Sequence, residues 1–452
     1  MSKQGKQQNQ QALSLGVLYP NAAGIDVGSM SMYVSYQNAD NEQTLKVFDA
    51  YTADLSKLAK EMQQAGVTHV AMEATSTYWM PLFEVLEKHG LNVTLINARH
   101  YKNVDGQKTD VKDCQWIQQL HAHGLLRPSH IAGEEYRELR TYIHERDVLQ
   151  HQKSDTLNRM HKVLTQMNIK WQHVISDIEG VEGMKVVRRL ADGVTKTEDL
   201  LRGVKTDRLK ASKEVLEKSL EGLFKPHYQV VLKNHLATYD FYKQQMLVYE
   251  QLIEEVLQKL LANKHNGQQV AVKEKTIKVR KNQYHFNLKT YLHQIVGVDL
   301  TEIDGLDEAS VLTIIAVIGL NMRKWPTAEH FVSWLNLAAR PKKSGGKVLG
   351  HQKRFTNNPA TQAFRLAAQT MHKSKSSLGS LYRRLASRKS PAKAIKAVAR
   401  RIAIILYNMI KKQTKYNPKI VVMNEEKIRA RKIARLQKEA EKLGCRLETI
   451  AA

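Results

Sequence analysis

Apolar positions in residues 22–130 switch repeatedly between strand-like runs and helical spacing. Gly24–Gly28 reads as a strand entering a turn, and Met32–Tyr36 and Leu45–Phe48 as two more strands rich in β-branched and aromatic residues. Leu55–Ala65 has the spacing of a helix. His69–Met72 is a buried-type strand that delivers Glu73 at its end. Tyr78–His89 reads as a helix stopped by Gly90, Asn92–Ile96 as a strand, and Thr109–His123 as a helix closed by Gly124. Beyond residue 135 the period lengthens. Leu139, Tyr142, Leu149, Leu157, Met160, Leu164 and Met167 lie on a broken heptad seam. Leu232, Leu236, Tyr239, Met246, Tyr249, Ile253, Val256 and Leu260 form a cleaner one. Two such helices predict an antiparallel coiled coil or a dimerising stalk, unless both pack on a globular core.

Three strands, helix, strand, helix, strand, helix is the order of a ribonuclease-H-like α/β sheet. The expected organisation is a disordered start over 1–20, this α/β domain over 21–132, and long coiled-coil helices over 133–262. A small helical insertion interrupts those helices at about 176–225. Residues 263–285, rich in Lys, Gln and Asn, read as an exposed basic loop or hairpin within a basic linker or insertion over 263–290. A mostly α-helical globular domain follows over 291–415, then a charged tail over 416–452.

Charge narrows the function. The formal charge is +26, yet residues 1–130 hold 11 Lys and Arg against 12 Asp and Glu, so the other 322 residues carry a surplus of +27. A surplus of that size points to a polyanion, most simply nucleic acid. The two cysteines, Cys114 and Cys445, have no metal-ligand spacing and define no disulfide framework, as expected of a reducing cytoplasm. The Gln-rich start lacks the apolar core of a targeting segment. No run approaches the ~20 apolar residues of a membrane helix.

Two groups of residues carry candidate chemistry. Asp26 sits on the first strand and Glu73 ends the fourth, and adjacent central strands would bring them together. Asp110 and Asp113, three apart at the start of a helix, face one side of it. Carboxylates so placed can hold Mg²⁺ for phosphodiester chemistry. Singly, an Asp in a strand also caps turns, and helix N-termini attract Asp for dipole reasons. The second group is Lys342-Lys343-Ser344-Gly345-Gly346-Lys347, with Lys353 and Arg354 close behind. Glycines let a hydroxyl approach a phosphate, and the cations can bind it. Serine needs activation to become a nucleophile, and His351 is the only imidazole close in sequence, so the residues alone also fit a flexible basic loop. Upstream, Ile303-Asp304-Gly305-Leu306 followed by Ala309–Ile318 reads either as half of a phosphate-binding helix-hairpin-helix or as a glycine turn before a core helix. Phe331–Leu335 is expected as an apolar helix that packs the serine loop.

These stretches resemble the insertion-sequence one-ten family of DEDD transposases. The likeness rests on Gly24–Ser29, Met72–Thr75 with Tyr78-Trp79, and Lys108-Thr109-Asp110 with Asp113 and Trp116-Ile117. It continues in Gly124–Leu126, Ile303–Gly319, Phe331–Leu337, Ser344–Lys347 and Ala394–Arg401. Together they span roughly 22–170 and 290–415. The resemblance implies a RuvC-like domain whose tetrad Asp26, Glu73, Asp110 and Asp113 binds Mg²⁺, a coiled coil, and a transposase domain in which Ser344 joins covalently to DNA. It implies nucleic-acid contacts from Lys342, Lys343, Gly345, Gly346, Lys347, Lys353, Arg354, Arg400 and Arg401. The partners implied are donor and target DNA, a structured bridge RNA, and further copies of the chain as dimers pairing into a tetramer. The setting implied is the nucleoid of a bacterial or archaeal cell. The chain departs from the family pattern at Cys114, where alanine is usual, and at Asp307 and Asn336, which stand for glycines. Phe355–Asn358 departs from an expected Lys-Arg-Gly run. Readings outside this family are a RuvC-like junction nuclease with water as nucleophile, and a non-catalytic nucleic-acid-binding scaffold.

Overall fold

A computed structural model describes residues 16–38, 42–97, 110–264, 281–339, 341–345, 347–351 and 357–446. The chain divides into two compact units, Met1–Ile131 and Ala132–Ala452.

The first unit is built on a five-stranded mixed sheet of order β3-β2-β1-β4-β5. Its strands are β1 (Ala22–Val27), β2 (Ser31–Gln37), β3 (Gln43–Asp49), β4 (His69–Glu73) and β5 (Asn92–Ile96). β2 runs antiparallel to both β1 and β3, and β4 and β5 run parallel to β1. This arrangement fits the ribonuclease-H-like expectation. Side-chain alternation divides the faces. Ile25, Val27, Val34, Val70 and Met72 are buried with Leu55, Leu58 and Met62 of α1 (Thr52–Gln64) and Leu82 and Leu86 of α2 (Trp79–Lys88). The other face takes α3 (Asp110–Ala122), where Ile117 packs with Ala71 and Ile96. The expected disordered start needs correction over its last residues. The backbone N–H groups of Leu18 and Tyr19 both donate to Ala122 O, satisfying a carbonyl that the end of α3 leaves open. Residues 1–15 lie outside the described residues.

In the second unit, α4 (Glu134–Gln166) and α9 (Pro226–Lys264) form an antiparallel helical hairpin. Its direction is fixed by Asn263 bonding Glu135, Lys259 pairing Glu138 and Arg146 pairing Glu250. Along α4 the buried positions Leu139, Arg146, Lys153, Met160 and Met167 recur every seven residues. The seam is broken only in polarity: cations occupy two of its places. Arg146 pairs with Glu250 at 2.6 Å, both side chains at or below 5% exposure. Lys153 pairs with Glu179 at 3.2 Å. Although burial pushes the Glu179 carboxyl up, Lys281, Lys153 and the Tyr239 hydroxyl outweigh it and hold the group below its ordinary range. Residues 281–286 complete the network: His285 Nδ1 lies 2.6 Å from Glu250 Oε2, and Arg146 stacks over Tyr284 at 4.1 Å. Tyr284 is buried, so the expectation of an exposed loop over 263–285 fails near its C-terminal end, and Phe286 just beyond it is buried as well. Residues 265–280 lie outside the described residues.

One end of the hairpin is sheathed by α5 (Trp171–Val174), α6 (Val181–Ala191), α7 (Thr197–Leu201) and α8 (Lys213–Lys218), packed around the fully buried Trp171. These short helices have a core of their own. The other end merges with α10 (Leu288–Val296), α11 (Glu308–Ile318) and α12 (Ala328–Trp334). The same core takes in α13 (Pro359–Thr370), α14 (Ser377–Arg388) and α15 (Pro391–Lys412). The tail carries α16 (Lys419–Lys442). Among the described residues no helix is long and apolar enough to cross a membrane.

Candidate active site

A glycine sets how closely α3 lies on the sheet. A Cβ at Gly24 would come within 2.3 Å of both Cys114 O and Gln118 N, so α3 rests backbone to backbone on β1. Gly24 and Asp26 are two apart on one strand, so Asp26 faces α3 too. By the same alternation Glu73 shares that face with Ala71, which packs against α3. The register Ile25↔Met72 between β1 and β4 puts Asp26 and Glu73 one residue further along adjacent parallel strands. Asp110 opens α3 and Asp113 lies one turn in, at the same end of the sheet. The Cys114 thiol reads this concentration of charge: burial pushes it up to about 11, and the carboxylates of Asp26 and Asp113 add to the rise.

The individual side chains differ in setting. Glu73 is 5% exposed and accepts a hydrogen bond from Thr75 Oγ1 at 3.0 Å. Ser76, just beyond, has φ of 48°, a left-handed conformation costly for a residue with a Cβ. Asp26 and Asp113 are half-buried, and the Asp110 side chain lies outside the described ones. Among the described residues no three His, Cys, Asp or Glu side chains form a ready-made metal cage. The candidate donors on this face are carboxylate oxygens, the ligand class of Mg²⁺ and Ca²⁺.

Sequence reasoning missed the clamp that fixes α3. Ser35 Oγ donates to Gln118 Oε1 at 2.6 Å, and Gln43 Nε2 reaches both, at 2.5 Å and 2.6 Å. Ser35 is the strand partner of Gly24, so this polar triad locks the helix where it touches the sheet. The signal available was Gly24 itself, since glycine inside a strand marks close backbone approach.

The serine segment also differs from expectation. Lys342–Ser344 belongs to a strand, β6 (Pro341–Ser344), paired antiparallel with β7 (Lys347–His351). Ser344 pairs with Lys347 across the turn, and Gly345, which enters it, has the positive φ of 53° that hairpin turns need. The hydroxyl therefore stands at the end of a strand, exposed beside the turn, with Lys347 also exposed. The side chains of Lys342 and Lys343, and all of Gly346, Lys353 and Arg354, lie outside the described residues. Of the two tail-end arginines, Arg400 bonds Glu329 of α12 at 2.5 Å and Arg401 follows it on α15.

The remaining motifs serve packing. Gly305 has φ of 88° and lies against Ala367 O, where a Cβ would come within 2.7 Å. Asp307 caps α11 by accepting from Ser310 N at 2.8 Å. Of the two readings left open for this stretch, the turn before a core helix is the one these contacts fit. Phe331 is buried among Trp325, Trp334, Phe364 and Tyr407, so α12 packs the helical core. Asn336 has φ of 55°, which explains why it can stand where glycine is usual: asparagine tolerates the left-handed region best after glycine.

Comparison with known families decides the identity. Residues 23–169 match the transposase model named for the DEDD transposases of IS110, and residues 299–383 match that of the transposase IS116/IS110/IS902 family. The chain belongs to the IS110 family of transposases. No curated protein matches it. Asp26, Glu73, Asp110 and Asp113 lie within the first match and Ser344 within the second, whereas Arg400 and Arg401 fall beyond both. As a transposase the chain is a DNA-cleaving and DNA-joining enzyme.

Proposed function

We propose that this transposase moves its element by RNA-guided strand exchange, with Asp26, Glu73, Asp110 and Asp113 as metal ligands and Ser344 as nucleophile. The observation that carries the reading is the gathering of Asp26, Glu73 and the first turn of α3 at one end of one sheet face, enforced by Gly24. The donor set fits Mg²⁺, being hard oxygen throughout. When bound, Mg²⁺ supplies positive charge that polarises the scissile phosphate and stabilises the leaving oxygen.

The protein's part is positional. Thr75 holds one oxygen of Glu73, and Gln118 with Ser35 fixes α3 and thus the spacing of Asp113 from Asp26. Ser344 Oγ forms a bond to phosphorus while one P–O bond of the DNA backbone breaks. The serine proton is lost, and the leaving oxygen gains one. The ester so formed keeps the bond energy of the strand, so a second strand's hydroxyl can displace the serine and rejoin the DNA. Lys347 and its neighbours favour charge on the attacked phosphate. The guide RNA accounts for part of the +27 surplus outside residues 1–130.

Asp26→Ala and Asp113→Ala proteins test the metal half. Each is expected to lose DNA cleavage in Mg²⁺ while still binding nucleic acid and melting cooperatively. Cleavage at the wild-type rate by either protein removes that residue from the ligand set. The RNA half is tested by purification: a specific RNA should accompany the protein, and RNA-free protein that recombines DNA at full rate overturns it.

A further inference from the structure

Between Glu329 and Glu425 the chain contains 21 Lys and Arg and no Asp or Glu. Within this stretch α13 and α15 pack through Phe364, Ala367, Ala394 and Val398, and their other faces carry exposed residues. On α15, Lys393 and Lys396 are three apart and exposed on one side of the helix. Arg365, exposed on α13, stands near enough to Lys396 for the two charges to repel. Partial burial and then this repulsion hold the Lys396 ammonium below the ordinary lysine range. Among the described residues none of the three has an ion-pair partner. Arg400, one turn further along α15, is by contrast neutralised by Glu329.

Like charges gathered without a carboxylate weaken the free protein, and the arrangement makes physical sense when an anion completes it. We infer that Arg365, Lys393 and Lys396 form a phosphate clamp on the α13–α15 face that grips the backbone of duplex DNA. DNA is the polyanion that the family membership supplies, and the inference rests on that membership alone. It needs neither the serine nor the carboxylates.

The test uses the full chain, EDTA to prevent cleavage, and a labelled DNA duplex of arbitrary sequence, titrated over a range of salt. Each phosphate contact contributes about 0.9 to the slope of log affinity against log salt. Arg365→Gln, Lys393→Gln and Lys396→Gln should each flatten that slope by about this amount, whatever the DNA sequence. Because Lys396→Gln also relieves repulsion, its melting temperature should equal or exceed that of the wild type. An unchanged DNA slope in all three overturns the clamp. So does a flattened slope seen only with an RNA duplex, or a loss of DNA affinity that accompanies a lower melting temperature in Lys396→Gln.

Discussion

Gly24 shows how one absent side chain sets the geometry of the proposed metal site. The two atoms a Cβ would strike are both backbone atoms of α3, so Gly24→Ala can be accommodated only by moving the helix. That motion separates Asp113 from Asp26, and misplacement of about 1 Å can cost ~10²-fold in rate. Cleavage by Gly24→Ala should fall by about that factor, with about 1–3 kcal/mol lost from stability through overpacking. Wild-type cleavage with an unchanged melting temperature would remove the close contact from the account. A second residue gives a pH dependence. His121 is buried against Tyr19 and His69, and burial, with some help from His69, pushes it down to about 4. The imidazole stays neutral in the fold while the unfolded chain binds a proton near pH 6.5. Stability should therefore be full above about 6.5 and fall as pH drops towards 4. Melting of His121→Gln across that range should show a shallower decline, and an equal decline assigns the effect elsewhere. The placement of Asp26 and Glu73 on strands and of Asp110 and Asp113 at a helix start was legible in the sequence, because it follows from local periodicity. The Gly24 contact and the Ser35–Gln118 bond were not, because they join elements some 80–90 residues apart.

At the scale of elements, the helical hairpin combines an apolar heptad with a buried ionic centre. Removing one partner of a buried pair leaves the other charge unsatisfied, at a cost of about 3–5 kcal/mol. Glu250→Ala should lose about that much in urea unfolding, since Arg146 and His285 both depend on it. Replacing Arg146 by Met and Glu250 by Leu together should recover most of the loss. A Glu250→Ala protein as stable as the wild type would show that the pair is solvated in solution. The second seam was legible because its heptad places are nearly all apolar. The first looked broken because Arg146 and Lys153 occupy core places, and their partners lie far along the chain, Glu250 on α9 and Glu179 in the turn before α6. The serine hairpin was misread for a related reason: Gly345-Gly346 marks a turn, but strand pairing on both sides of it leaves little apolar signal in Pro341–Ser344 and Lys347–His351.

For the whole molecule, the proposed chemistry draws on two units: the carboxylates lie before Ile131 and Ser344 lies after Ala132. The charge follows the same division, with the basic surplus in the second unit. That division was legible from composition alone, and so was the family, because many short motifs keep their order along the chain. The central claim is that Ser344 and the carboxylates act in one reaction. Labelled target DNA incubated with the RNA-loaded transposase and Mg²⁺, then run on a denaturing gel, tests it most directly. The wild type should retain a protein–DNA band. Ser344→Ala should bind DNA and RNA normally yet give no band, and Asp26→Ala should give none either. A band from Ser344→Ala, or none from a wild-type protein that visibly recombines DNA, would contradict the account and move the attack to another residue or to water.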